Sequence, residues 1–239
     1  MNLLSAGKLS DRYLVGEKMD QEDLARNDLA QALTGLGRLN LVGLAAYQIW
    51  RVLCKIIARK NLKQISLLDL ASGGGDILFA LERFAKRAGV KFEGMGLDIK
   101  KDAIELSNNR SKKAGSSVTF KQCNVLTDSL PEGYDIVLNS LFLHHLTSNE
   151  AVMVLSKMNN AAKIALIVSD LTRSRSALIA AVISTRLLSR SPIVHIDGPL
   201  SVRAAFTKEE AWNLAQQAGL KNPQIRSIPG FRFLLSEEK

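Results

Sequence analysis

The 239-residue sequence predicts an α/β fold: a seven-stranded, mostly parallel sheet flanked by helices. Three observations point there. From residue 65 onward, short apolar runs alternate with polar stretches of helical rhythm, the pattern of βαβ units whose sheet is covered on both faces. The first run passes into its helix through three consecutive glycines, "LLDLASGGGDILFAL" over 67–81. The second run ends on an acid, Asp98 in "GLDI". Sheets of this kind bind ligands beyond the carboxyl ends of their strands, where both features fall.

The elements follow in chain order. Residues 21–60 carry Leu24, Leu29, Leu33, Leu36, Leu44, Tyr47, Trp50 and Leu53 at mixed spacings of three and four, with Gly35, Gly37 and Gly43 as expected breaks. Two or three helices therefore precede the main fold, and residues 1–60 read as a helical lid. "ISLLDL" is a buried strand, "DILFALERFAKRAG" a helix ending at Gly89, "KFEGMGLDI" a strand and "KKDAIELSNNRSKKAG" a helix ending at Gly115. "SVTFKQCNV" and "YDIVLNSL" are strands three and four, "NEAVMVLSKMNNAA" a helix and "KIALIVSDL" strand five. Residues 171–206 interrupt the rhythm with an apolar helix, "SALIAAVISTRLLSRS", and then "PIVHIDGPLSVRAAF", which reads as irregular. Thr207 and Glu210 form a capping box for "TKEEAWNLAQQAGL", and "QIRSI" and "FRFLL" close the sheet. Residues 61–239 thus form one domain with an insertion at 171–206.

Bulk properties narrow the function classes. Hydrophobic residues at 46% and charged residues at 23% are those of a globular chain. A net charge of +9 admits nucleic acid, an anionic membrane surface or an acidic substrate as partner. The basic residues are scattered and aromatics are only 5%, which disfavours dedicated nucleic-acid binding. Cys54 and Cys123 form no CxxC pair, so neither a disulfide nor a zinc site is expected, and each reads as a small buried hydrophobe. No basic start with a long apolar run and no uninterrupted apolar stretch of membrane-spanning length is visible, so a cytoplasmic location is expected.

The glycine loop discriminates among ligands. A phosphate-binding P-loop needs Gly-Lys-Ser/Thr, but Gly75 is followed by Asp76 and Ile77. A dinucleotide fingerprint needs GxGxxG, but Leu78 stands at the third position, and Asp76 brings negative charge to the helix N-terminus where a pyrophosphate would sit. The loop suits a nucleoside without phosphates, with Asp98 placed to accept both hydroxyls of a ribose.

Together "LLDLASGGGD", "GLDI" and "CNVLTDSLPEGYDIVLNSLFLHHL" resemble the class I S-adenosylmethionine-dependent methyltransferases. The resemblance implies a Rossmann-like fold and S-adenosyl-L-methionine as cofactor. Ala71, Gly73 and Gly75 hold the places of the family's three alternating glycines, with Ser72 between them. By resemblance, Asp69 and the Ala71–Gly75 backbone line the methionine part, Asp98 holds the ribose, and Ile99 packs on the adenine. Asn124 and Val125 lie beside the adenine amino group, and Asn139 borders the methionine part and the reacting methyl. Asn139-Ser140-Leu141-Phe142 lacks the prolines of enzymes that methylate base amines, and neither cysteine is placed for carbon-5 methylation of pyrimidines. Asp170-Leu171 has no adjacent acid or amide, so no metal is expected.

Candidate proton acceptors are His144 and His145 in "HHL", and His195, two residues from Asp197 in the insertion expected to cover the site. The C-terminal part together with "EKMDQEDLARNDLAQALTGLGRLN" is similar to quinone-biosynthesis methylases and to methyltransferases found beside bacterial type III polyketide synthases. That similarity implies a small, lipid-like phenolic or quinol acceptor and methylation at oxygen. Arg173, Arg175, Arg186 and Arg190 flank the apolar insertion helix, where they would meet an anionic membrane or a phenolate. Carbon methylation of a quinone precursor, RNA methylation and non-catalytic cofactor binding stand as alternatives.

Overall fold

The computed structural model describes residues 9–20, 24–42 and 44–239. Seven strands pair in the order β3-β2-β1-β4-β5-β7-β6. They are β1 (Gln64–Leu70), β2 (Lys91–Asp98), β3 (Thr119–Gln122), β4 (Tyr134–Ser140), β5 (Ala162–Leu171), β6 (Gln224–Ile228) and β7 (Arg232–Glu238). All run parallel except β7, which is antiparallel to both β5 and β6. The order reverses direction between β1 and β4, so their carboxyl ends splay the connecting loops apart and leave a crevice.

The central strand shows why the chain folds this way. Ile65, Leu67, Leu68 and Leu70 of β1 are all buried, because alternate side chains meet helices on opposite faces. Leu68 and Leu70 join one core with α5 (Ser148–Ala161) and α8 (Lys208–Gln217). Ile65 and Leu67 join the other with α2 (Ala45–Lys60), α3 (Asp76–Arg87) and α4 (Lys101–Ala114). Gly89 and Gly115 end α3 and α4 in the left-handed region, and capping boxes from Thr147 and Thr207 start α5 and α8.

Three expectations need revision. First, α1 (Arg26–Val42) runs straight through Gly35 and Gly37. Those glycines serve close packing: a Cβ on Gly35 would lie 2.2 Å from Ser189 Oγ, and one on Gly37 2.6 Å from Asp76 Oδ2. Gly43 lies outside the described residues. Second, of the two N-terminal helices α1 and α2, α1 is the one that lines a cavity at the strand ends. Ala45, Ile49, Leu53 and Ile56 bury α2 in the sheet-face core, so the second N-terminal helix is part of the body of the fold. Third, Pro192–Ala204, expected to be irregular, is helix α7. Pro192 opens it, where its missing N–H costs nothing, and buried Val194, Asp197, Ser201 and Val202 carry it past Pro199 at helical spacing.

The remaining helix, α6 (Arg175–Leu188), packs on α7 and α1. Cys54 is exposed on α2 and Cys123 is half-buried just after β3, so neither is the fully buried hydrophobe expected. Among the described residues no single helix is long and apolar enough to cross a membrane.

Candidate active site

Residues after β1 turn sharply because the backbone at Ala71 (φ 54°), Gly73 (φ 51°) and Gly75 (φ 72°) is left-handed. Ser72 N donates to Leu97 O, and Gly73 N donates to Asp98 Oδ2 at 2.9 Å, which ties the loop to the end of β2. The other Asp98 oxygen accepts the Lys100 amide at 2.9 Å. Both carboxylate oxygens are thus engaged by backbone amides, and Asp98 also borders the adjoining space.

That space is a cavity of about 420 Å³ lined by Asp69, Ala71–Gly74, Asp98, Ile99, Asn124 and Val125, and roofed by Leu29, Leu33 and Leu36 of α1. Ile99 is 56% exposed at its edge, an apolar side chain without cover. Asn124 Oδ1 accepts the Leu126 amide. Asp69 Oδ1, Ser72 Oγ and Ser140 Oγ are buried without a hydrogen-bond partner among the described residues, although all three residues line the cavity. Burial, reinforced by the negative charge of Asp98, pushes the Asp69 carboxyl well above its ordinary range.

Two expected cofactor residues stand behind the wall. Asn139 Nδ2 donates to Leu70 O at 2.9 Å and locks the end of β4 to the end of β1. Gly75 is needed for packing: a Cβ there would lie 2.4 Å from Phe120 Cζ.

A second cavity of about 370 Å³ adjoins the first and shares Met19, Leu36, Leu141 and His145 with it. Its walls are apolar, from Leu39, Leu171, Ala177, Ala180, Leu188, Val202 and Phe231, with Glu17, His144 and Arg232 as charged members. His144 Nδ1 lies 2.6 Å from Asp170 Oδ1, and its Nε2 lies 3.6 Å from Glu17 Oε1. Burial opposes the imidazolium, but Asp170 and Glu17 overcome it and push the His144 pKa up to about 10. Against the same opposition from burial, His144 holds the carboxyls of Asp170 and Glu17 below their ordinary values. Glu17 also accepts Ser201 Oγ, and its Oε2 lies 3.9 Å from His145 Nε2. The His145 ring stacks on Phe142. Arg232 is fully buried, with Nη2 donating to Asn40 Oδ1 at 2.8 Å and Nη1 without a partner among the described residues. Its pKa is lowered by burial to about 10.

The His195–Asp197 pair is not brought to either cavity. His195 Nε2 faces Ser189 O at 2.8 Å, and the Asp197 oxygens accept the amides of Lys18 and Met19 at 3.0 and 2.9 Å. Asp197 thereby pins the N-terminal segment that delivers Glu17. Arg173 is likewise not a surface cation: it is buried in a two-pronged ion pair with Glu210 and donates to the carbonyls of Leu9, Ser10 and Ala205. Glu17 and Arg232 escaped sequence reasoning, and Asp170 entered it only as a metal ligand that lacks a partner acid. They come from three distant segments, and only Asp170, an acid at a strand end, carried any local signal.

Residues 61–219 match the family described as "Methyltransferase domain". Among curated proteins, none matches the sequence. Solved structures share the fold at low identity. An O-methyltransferase family 2 protein from Planctomyces limnophilus DSM 3776, in complex with apigenin, is 17% identical with a TM-score of 0.55, over 73% of this chain and 50% of that one. The magnesium protoporphyrin IX methyltransferase ChlM from Synechocystis PCC 6803, with bound SAH, is 18% identical with a TM-score of 0.55, over 83% and 84%. The plantazolicin methyltransferase BpumL, in complex with a monoazolic desmethylPZN analog and SAH, is 13% identical with a TM-score of 0.59, over 90% and 87%. The chain matches only about half the length of the first of these.

Proposed function

Because this chain belongs to the methyltransferase-domain family, we propose that it transfers a methyl group from S-adenosyl-L-methionine to oxygen on a small, apolar phenolic or quinol-type acceptor. The observation that carries this reading is the pair of adjoining cavities whose common wall includes His145. The first cavity suits the nucleoside cofactor. Asp98 presents its carboxylate at the cavity wall where ribose hydroxyls would lie, Ile99 offers an uncovered apolar face to a base, and the Asn124 side-chain amide lines the same cavity. Asp69, held above its ordinary pKa by burial and by Asp98, would be kept ionised by an ammonium group placed next to it.

When bound, the cofactor supplies a methyl group already activated on a sulfonium. The protein's share is therefore to position the acceptor, exclude water and receive a proton. The apolar second cavity does the first two, with Leu141 and Leu36 at the junction. His145 takes the acceptor's hydroxyl proton, its Nε2 lying 3.9 Å from Glu17 Oε2. Glu17 is held ionised by His144, which Asp170 in turn holds cationic. No metal enters the scheme, so a chelator should leave turnover unchanged.

The test is incubation with methyl-labelled S-adenosylmethionine and a panel of alkylphenols, quinols and tRNA. Label should enter a phenol or quinol as a methyl ether, and His145→Ala should lower kcat by roughly 10²–10⁴-fold. Label entering tRNA, or a carbon-bound methyl in the product, would overturn the acceptor or the atom assigned.

A further inference from the structure

Helix α6 has two apolar faces, and only one of them is used by the fold. Ala177, Ala180, Ala181, Ser184 and Leu188 line the second cavity. On the opposite side Ile179 and Ile183 are each 53% exposed and Leu187 is 77% exposed. Their spacing of four places them in one stripe along the helix. Arg175, Arg186 and Arg190 are exposed beside that stripe, and none pairs with a carboxylate among the described residues. The segment from 172 to 206 contains five arginines and a single acid, Asp197, which is buried. Phe231, another cavity wall, is 47% exposed, so the cavity opens to the outside beside it.

We propose that the Ile179–Ile183–Leu187 stripe and its arginine fringe form a docking surface for an anionic lipid bilayer, which delivers the acceptor directly into the second cavity. A helix with a narrow apolar stripe and a basic border lies in the plane of a membrane interface, with the stripe among the acyl chains and the cations among the headgroups. Charge selects this occupant over a second copy of the chain. A two-fold contact through the same face would set each copy's arginines against the other's, with no exposed acid in the segment to offset them. An apolar acceptor dissolved in the bilayer would then be separated from the reaction cavity by the thickness of one helix whose inner residues are small. The delivery step rests on the apolar-acceptor reading; the docking itself does not.

Vesicle flotation of the full chain, without cofactor or acceptor, tests it separately from any methylation assay. The chain should bind phosphatidylcholine vesicles containing phosphatidylglycerol and not those of phosphatidylcholine alone, and binding should fall with added salt. Ile183→Asp with Leu187→Asp should abolish binding, while each of Arg186→Gln and Arg190→Gln should weaken it about fivefold. These side chains are exposed, so melting temperature should hold in every variant. Equal binding by wild type and the Asp variant, no binding to anionic vesicles, or a dimer in light scattering that the Asp variant splits would overturn the proposal.

Discussion

Ala71 shows at the scale of one residue how strain marks a site. Its φ of 54° is a conformation in which a Cβ crowds the following carbonyl, a penalty of about 1–2 kcal/mol that glycine escapes. Ala71→Gly relieves that strain and gives back roughly 0.5–1 kcal/mol in unfolded-chain entropy. The net gain should raise Tm by about 1–3 °C in a calorimetric scan; a fall would mean that the Ala71 methyl makes packing contacts worth more than its strain. The His144 cluster makes a second residue-scale prediction. A histidine whose pKa is raised to about 10 on folding contributes stability that is complete below its ordinary 6.5 and disappears as pH rises through 10. Asp170 and Glu17, held low, contribute stability present above their ordinary 3.8 and 4.5 and lost as pH falls through their folded values. The Tm difference between wild type and His144→Gln should therefore be widest between about pH 4.5 and 6.5 and narrow steadily toward pH 10.

Among elements, α1 has the closest fit. It approaches the turn between α6 and α7 so nearly that Gly35 has no room for a methyl group, with Ser189 Oγ and Cβ 2.2 and 2.9 Å from where one would sit. Gly35→Ala gains about 1 kcal/mol of helix propensity but meets an overpacking cost of roughly 1–3 kcal/mol. The helix should shift, and with it Leu33 and Leu36, which roof the first cavity, Leu36 serving both cavities. Calorimetric titration should show S-adenosylmethionine binding several-fold more weakly than in the exposed control Thr34→Ala. The sequence already displayed most of what sets this scale. Apolar runs placed all seven strands: β1, β4, β5 and β7 are buried on both faces and leave a continuous apolar signature, whereas the edge strands β3 and β6 are mostly exposed or half-buried and leave a weaker one. Gly89, Gly115 and Thr207 marked helix ends by local chemistry that needs no tertiary partner. Gly35 and Gly37 were misread as breaks because a glycine that permits close approach and one that ends a helix look alike until the neighbouring helix is in place. For the same reason most residues that line the first cavity stand together in short motifs of the sequence, whereas Glu17, His144 and Asp170 meet only through folding.

For the whole molecule, the question is what the two cavities do separately. Every element that the sheet aims at its carboxyl end contributes to one or the other, and the division follows the chain. The loops after β1, β2, β3 and β4, with α1, line the first cavity, while α6, α7 and the β6–β7 turn wall the second. A substitution in the second set should then alter the choice of acceptor without touching the cofactor. Ala180 lines only the second cavity. Ala180→Phe would fill space against walls that cannot all retreat, because α6 is held by α1 on one side and α7 on the other. The KM for a bulky acceptor should rise roughly 5- to 150-fold, the equivalent of about 1–3 kcal/mol of overpacking, and a smaller acceptor should suffer less. The dissociation constant for S-adenosylmethionine should not move. Parallel losses in both would mean that the two cavities are one. An RNA acceptor would give a third pattern: KM indifferent to Ala180→Phe but rising steeply with salt, as phosphate contacts demand. The +9 net charge would then belong to the substrate site, and not to the face of α6.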